Sequence, residues 1–517
     1  MQAEGLFAAA LLASITFMND PVDAARNGCT GQVLEADGGQ GVAGQLVSDG
    51  RRVVATDVDG RYVLPAIDAK AQVSVIARDG WAVPAREDGL PAFWRTGCGD
   101  FELVEATSPS LDGHGADTRV LVFSDPQTST EVQVGHYARG IVGAARNESG
   151  IALGITLGDV SDDVPELYPA LNRATALLGV PWLHVAGNHD VDVDARDDEA
   201  ALSAFRAVYG PDTHAWETER AVFVVLDNVV SMPGQRPAYV GGLREDQFAF
   251  LESYLPLAPR DRLLVVAVHI PWFDTAAPGR PSTVRVEDRE RLFALLRDFP
   301  HVLLLSGHRH TQRQFFHGSS AGWNGEGRLR EYNVGAASGA YWSGVDDASG
   351  IPVSTMADGT PKGYAVLTIR DGGGYALAWR PVGIDGDDPA FTDAMALHAP
   401  KVLRRGAYPA WGVYANVFMG HDDTRVEYRI DGGEWKPMMK VEAPDPRLLA
   451  ENVRDDLADA LRSYDRSPEA EPSTHLWRGA LDTRLPTGEH EVEVRVFDDE
   501  GIEHRARTAY RLDEWSE

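Results

Sequence analysis

Hydrophobic and polar positions divide the chain into three stretches of different periodicity. From residue 31 to about 111, short strand-like runs at 32–34, 45–47, 53–56, 62–64 and 72–77 alternate with Gly, Asp and Asn turns, which predicts a small all-β domain. Residues 117–382 read differently. Runs rich in Val, Ile and Leu at 120–123, 151–157, 182–186, 263–268 and 302–305 are uniformly apolar, as strands covered on both faces are. Helical stretches at 132–146, 243–255 and 288–297 alternate with strands, so this part is expected to be an α/β layered domain. Past residue 310 the helical signal stops, and strands are expected at 313–316, 329–333, 364–369 and 375–379. From 383 onward, runs at 413–418, 425–430, 491–497 and 506–512 predict a second sandwich. An acidic, Pro-containing insertion at 443–473, helical at 448–461, interrupts it; an insertion so long is a lid or a disordered excursion. The expected organisation is a leader at 1–24, a β-sandwich at 25–112, an α/β domain at 113–382 and a second β-sandwich at 383–517.

The five apolar runs of the middle stretch lead into residues of metal-binding type: Ser124-Asp125-Pro126-Gln127, Gly158-Asp159, Gly187-Asn188-His189-Asp190, His269, and Gly307-His308-Arg309-His310. In open α/β sheets ligands gather beyond strand ends, so these groups are expected in one crevice. His308 and His310 lie two apart in an extended segment and share a face, so their imidazoles can serve two neighbouring ions. Asp159 can bridge two ions with its two oxygens. Asn188 adds a neutral carbonyl and His269 a further nitrogen, while His189 projects differently and is free for proton chemistry. Mixed nitrogen and oxygen ligation suits Mn, Fe or Zn better than Ca or an all-oxygen Mg site.

Charge narrows the partners. The 517 residues imply about three domains at about 150 residues each. A formal net charge of −30, with no Lys/Arg cluster, disfavours nucleic acid or anionic membrane. Bound cations would reverse the local field and admit a phosphorylated small molecule or polymer. The apolar stretch at 6–18, followed by Val22 and Ala24, reads as a secretory signal despite the missing basic residues at its start, which implies a periplasmic or secreted protein. No later apolar stretch is long enough for a transmembrane anchor. Cys29 and Cys98 are the two cysteines; they form either one disulfide, worth about 4 kcal/mol on the loop-entropy argument, or two free thiols. Asp57-Val58-Asp59-Gly60 lacks the later ligands of a calcium loop and is expected to be a hairpin turn.

The residues at the strand ends, with their order and spacing, resemble the calcineurin-like metallophosphoesterase family, whose motifs run D-x-H, G-D, G-N-H-D/E, H and G-H-x-H. The resemblance covers about 119–369 and departs in the first block, where Gln127 stands in place of the usual His. It implies a four-layer α/β fold, a β-sandwich flanked by helices. It also implies one metal held by Asp125, Gln127, Asp159 and His310, and another by Asp159, Asn188, His269 and His308. His189 falls on the catalytic histidine and Asp162 on the carboxylate that orients it. The implied reaction is hydrolysis of a phosphate ester by a hydroxide shared between two divalent ions, with His189 as general acid. The flanks look like the domains of a secreted bacterial branch, the N-terminal one resembling a transthyretin-like or carboxypeptidase-regulatory sandwich. Tyr341-Trp342-Ser343-Gly344, Asp358-Gly359-Thr360-Pro361 and His475-Leu476-Trp477 resemble segments of that branch, and Tyr341, Trp342 and Asp358 are expected to touch substrate.

Two other readings stay open. A nucleotide or nucleoside-diphosphate pyrophosphatase would use the same metals and stack a base on Tyr341 and Trp342. A non-catalytic binding scaffold with a degenerate metal site would explain Gln127. The choice among monoester, diester and pyrophosphate rests on pocket walls that loops build. His184 reads as a core histidine, and His136, His214, His317, His421 and His490 as surface or core groups.

Overall fold

Alternate residues of the central strands face different neighbours, and this explains why the runs are apolar throughout. The computed structural model describes residues 28–515 apart from 66, 69, 79, 106–116, 278 and 385; the expected leader at 1–24 lies outside these. Within Thr118–Phe123, Val120 and Val122 join the core between two sheets, whereas Leu121 and Phe123 pack under the helices Glu131–His136 and Tyr168–Thr175. In the opposite sheet, Phe223 and Val265 face the same central core, while Val222, Val224, Leu264 and Val266 lie under Glu245–Tyr254 and Val286–Leu296. Each such Leu, Val or Phe contributes about 1.5–3 kcal/mol on burial. The result is a four-layer α/β sandwich, helices outside and two sheets inside.

The first sheet runs Trp182–Val185, Ile151–Leu157, Thr118–Phe123, Gly363–Ile369, Tyr375–Pro381. Its first three strands are parallel and the last two antiparallel. The second runs His214–Glu217, Ala221–Val225, Leu263–Ala267, Val302–Ser306, Leu329–Asn333, Arg313–His317, with its four central strands parallel. All five strands that lead into ligand-type residues are therefore parallel members, and the loops after them emerge at the same edge of the sandwich.

Two four-stranded sheets form the N-terminal sandwich, with Asp57 Oδ1 accepting from Asp59 N at 2.9 Å and Arg61 N at 2.8 Å in the expected turn. Cys29 and Cys98 are joined as a disulfide with Cα atoms 5.5 Å apart. The sandwich docks on the core through Arg78–Glu217 at 3.1 Å and Gln72 Nε2 to Arg206 O at 2.7 Å. His184 and His214 lie buried at this junction, the first stacked on Tyr209 at 4.0 Å and the second 4.9 Å from Phe93.

A four-stranded and a five-stranded sheet form the C-terminal sandwich. The insertion is ordered, because it closes a hairpin between the paired strands Met439–Pro444 and Pro472–Ala480. Its helix, Pro446–Asp456, starts at Asp445, whose carboxylate accepts from Arg447 N at 2.7 Å and Leu448 N at 3.1 Å. It ends short of the expected residue 461 because the following segment folds back: Arg462 reaches Glu451 and Asp455, and Ser467 N donates to Asp455 at 3.1 Å. The returning chain is fastened to the core by Gly344 N to Asp465 O at 3.2 Å, Ser463 Oγ to Asp346 at 2.9 Å and Glu471 N to Ala357 O at 2.8 Å. Among the described residues no helix is long and apolar enough to cross a membrane.

Burial, with the charge of His214 adding to it, pushes the His184 ring down to about 3; burial pushes His214 down to about 4. From the ordinary value of 6.5 down to those values, the folded state binds fewer protons than the unfolded chain. The stability these rings permit is full above pH 6.5 and lost on acidification toward 4. Replacing His184 with Phe should therefore flatten the acid side of the stability profile in melts between about pH 7.5 and about pH 5. An unchanged slope would contradict the assignment.

Candidate metal centre

Each parallel strand delivers its donor in the first residues past its end. Asp125 accepts His308 N at 3.2 and 3.1 Å on its two oxygens, and His310 Nε2 lies 3.5 Å from Oδ1. Asp159 accepts His189 N at 2.8 Å on Oδ1 and faces His269 Nε2 at 3.4 Å with Oδ2. Asn188 Oδ1 is 3.1 Å from His269 Nε2. Asp159, His269 and His308 offer ligand atoms within 4.8 Å of one another. Gln127 N donates to Asp159 O at 2.9 Å, which seats that residue in the same cluster. Asp125, Asp159, Asn188, His269, His308 and His310 thus lie in one cluster, with the backbone of Gln127 against Asp159.

The backbone is bent to do this. Asp125, Gln127, Asp159, His308 and His310 have φ between 39° and 73°, in the left-handed region that side chains disfavour. Such conformations cost about 1–3 kcal/mol each and persist only where the surroundings impose them. Glycine is required beside the donors: a Cβ on Gly158 would lie 2.4 Å from His269 Nδ1, and one on Gly187 2.2 Å from Asp159 N. His269 and His310 are oriented from behind, with Nδ1 2.7 Å from Leu157 O and 2.8 Å from Gly339 O respectively. Donation from Nδ1 to these carbonyls turns Nε2 forward, the end that ligates a metal once it has given up its proton.

The electrostatics centre on Asp159. Burial opposes its charge, yet His269 and then His189 hold the carboxyl well below the usual range. Burial disfavours a charged His269, but Asp159 overrides this and pushes the ring up to about 9. His308 goes the other way, to about 3, through burial and the charge of His269. Among all these donors one atom stands out: Gln127 Oε1 is buried without a hydrogen-bond partner, while its Nε2 donates to Asp162 at 3.2 Å. A buried carbonyl oxygen left in this state fits a cation ligand. The residues present fit divalent metal.

His189 is oriented by two carboxylates, its Nδ1 lying 3.1 Å from Asp163 and 3.3 Å from Asp162. Sequence reasoning named Asp162 and missed Asp163, the nearer partner. It gave no role to two residues that hold the donor loops, Asp190, which it named within its motif, and Asn228, which it did not name. Asp190 accepts from Gly187 N at 2.9 Å, Val160 N at 3.1 Å and Tyr168 OH at 2.9 Å; Asn228 Oδ1 accepts from His269 N at 3.1 Å. Asn228 follows the apolar run Ala221–Val225, a sixth parallel strand end and the one available signal for it. Arg309 is exposed beside the donors, and its charge reaches Tyr239, Tyr341 and His308.

Of the three residues expected to touch substrate, Tyr341 alone is open to it. The residue is 58% exposed, and its ring stacks on His310 at 4.4 Å. Trp342 is instead 1% exposed, with its indole N–H donating to Pro126 O at 3.0 Å, so it braces the first donor loop from below. Asp358 is 3% exposed and its carboxylate is taken by Gln312 N, Thr360 N and His475 Nε2 at 2.8, 2.9 and 3.1 Å. Neither side chain has a group left to offer substrate.

The family model for calcineurin-like phosphoesterase matches residues 118–312, and those for the C-terminal and N-terminal parts of calcineurin-like phosphoesterases match 331–504 and 27–101. The chain belongs to the calcineurin-like phosphoesterase family. It is accordingly a metal-dependent phosphoester hydrolase. Among solved structures it is similar to purple acid phosphatase PPD1 from yellow lupin (Lupinus luteus) seeds, at 14% identity over 66% of this chain and 67% of that one, with a TM-score of 0.39. It is also similar to GAP50, the anchor in the inner membrane complex of Plasmodium, at 14% identity over 52% and 85%, with a TM-score of 0.32. No curated protein matches the chain.

Gly158→Ala should push His269 off its position and weaken Mn²⁺ binding at least about tenfold in a calorimetric titration, with the melting temperature of the metal-free protein as control. Unchanged affinity would show that His269 is not held where the glycine argument places it.

Proposed function

We propose that this protein hydrolyses a phosphate ester using two divalent cations, Mn, Fe or Zn, with the reaction taking place in the periplasm or outside the cell. The observation that carries the reading is the convergence of seven donors, five of them on left-handed backbone, with the Gln127 side-chain carbonyl oxygen buried and unpartnered. Asp125, Gln127, Asp159 and His310 would hold one cation; Asp159, Asn188, His269 and His308 the other. Bound there, two divalent ions supply a nucleophile from water near neutral pH and neutralise a phosphoryl oxygen. The disulfide Cys29–Cys98 suits an oxidising compartment.

His189 is the group for the leaving oxygen. Its Nδ1 is engaged by Asp163 and Asp162, so Nε2 is the end left to carry a proton to substrate. Asp162 does double duty, accepting from Gln127 Nε2 at 3.2 Å as well, and so couples the proton donor to a metal ligand. Arg309 supplies a fixed positive charge beside the donors for a substrate oxygen. The exposed face of Tyr341 forms one wall for the organic part of a phosphorylated small molecule or polymer. With Trp342 buried, Tyr341 and Trp342 cannot sandwich a base between them, which favours a plain phosphate ester over a nucleoside diphosphate.

Mn²⁺-loaded protein should turn over p-nitrophenyl phosphate or its bis ester and bind two equivalents of metal. His189→Ala should lower kcat about 10²–10⁴-fold with metal stoichiometry kept, and Asp159→Ala should lose both activity and metal. Full activity in either variant, or uptake below one equivalent by the wild type, would overturn the reading. Arg309→Ala should raise KM several-fold and leave kcat within about twofold, because a group that binds ground state and transition state alike acts on KM. A fall in kcat with KM unchanged would contradict that role.

A further inference from the structure

The geometry points to His475 and Asp358 as positioning residues for His310, through which the C-terminal sandwich completes the metal site. This rests on the proposed reading of His310 as a ligand. His310 stands on left-handed backbone, at φ 48°, and two contacts hold it there. Its Nδ1 lies 2.8 Å from Gly339 O, and the backbone two residues on is fixed by Gln312 N donating to Asp358 Oδ2 at 2.8 Å. Both contacts lead to residues 354–360. Gly339 is pressed so closely on Ser354 that a Cβ there would lie 1.7 Å from Ser354 O, and Asp358 belongs to the same segment.

That segment is gripped from its other side by the C-terminal domain. His475, from Pro472–Ala480, places Nε2 3.1 Å from the same Asp358 Oδ2 that receives Gln312 N. Asn416, from Gly412–Val417, donates to Asp358 O at 2.9 Å and to Asp445 Oδ2 at 2.8 Å. Asp445 in turn crowds Gly359, where a Cβ would meet its Cβ at 2.4 Å. Gln312, Asp358, Asn416 and His475 are all at most 3% exposed, so no water competes for these bonds. By contrast, His269 is fixed by Leu157 O and Asn228, within the central domain. Loss of the His475 bond should therefore act on one cation and spare the other. This gives a role to the Asp358-Gly359-Thr360-Pro361 and His475-Leu476-Trp477 segments that contact with substrate does not.

The test is Mn²⁺ titration of the full chain by calorimetry and by electron paramagnetic resonance, comparing wild type, His475→Ala and His475→Gln. In His475→Ala one of the two equivalents should bind about 10–100-fold more weakly, the other within about twofold of wild type, and the spin-coupled signal should give way to that of a single ion. His475→Gln, which restores a donor to Asp358, should recover both equivalents. Two equivalents of unchanged affinity in His475→Ala, or equal weakening of both, would overturn the inference while leaving the metal site itself intact. If His475→Ala does not fold, Asn416→Ala decides: selective weakening of one equivalent supports the inference, and wild-type behaviour overturns it. A wild type that takes up no Mn²⁺ would remove the reading of the site and this inference together.

Discussion

Two buried carboxylates, Asp125 and Asp159, are the constraint around which the rest of the molecule is arranged. A carboxylate removed from water is strongly penalised unless positive charge or hydrogen-bond donors answer it. Here the donors are backbone N–H groups of His308 and His189 and the rings of His269 and His310. These belong to loops after three different strands, drawn from both sheets, so the two sheets must pack in one relation for either charge to be tolerated. The left-handed backbone at five donor positions is the second part of the same arrangement, since it turns side chains inward that an extended continuation would send past the site.

Much of this was legible from the order of residues because parallel strands buried on both faces must be apolar throughout, and their ends are then marked by the first polar residues. Ile151–Leu157 coincides with the expected strand for that reason. Long-range partnership was not legible. Trp342 and Asp358 sit in polar, glycine-rich text that reads as an open loop, but their partners, Pro126 and His475, come from 216 and 117 positions away and bury them. Tyr341 and Trp342 are adjacent, both at positive φ, and one ends exposed and the other covered; local composition carries no sign of which. Asp163 escaped attention beside Asp162 because nothing in the spacing distinguishes which of two neighbouring carboxylates the imidazole meets.

The flanking sandwiches play unequal parts. The N-terminal one is stapled by its own disulfide and meets the core through Arg78, Gln72 and the stacked rings around His184, the last on the strand Trp182–Val185 that leads into Asn188. The C-terminal one sends an ordered hairpin insertion along residues 344–357 and shares buried hydrogen bonds with the segment behind His310. The long acidic insertion is therefore a strut between domains, and its exposed charges are largely paired within it, as Arg462 with Glu451 and Asp455 shows.

The pairing of Asp125 with His308 spans 183 positions. Loop-closure entropy sets contacts of that separation late in folding, after nearby strands have paired. Nascent or half-folded chains thus contain each donor but no place where the donors meet. A cation held there would be captured only once the sheets have met, and would oppose unfolding, because opening either sheet would release it.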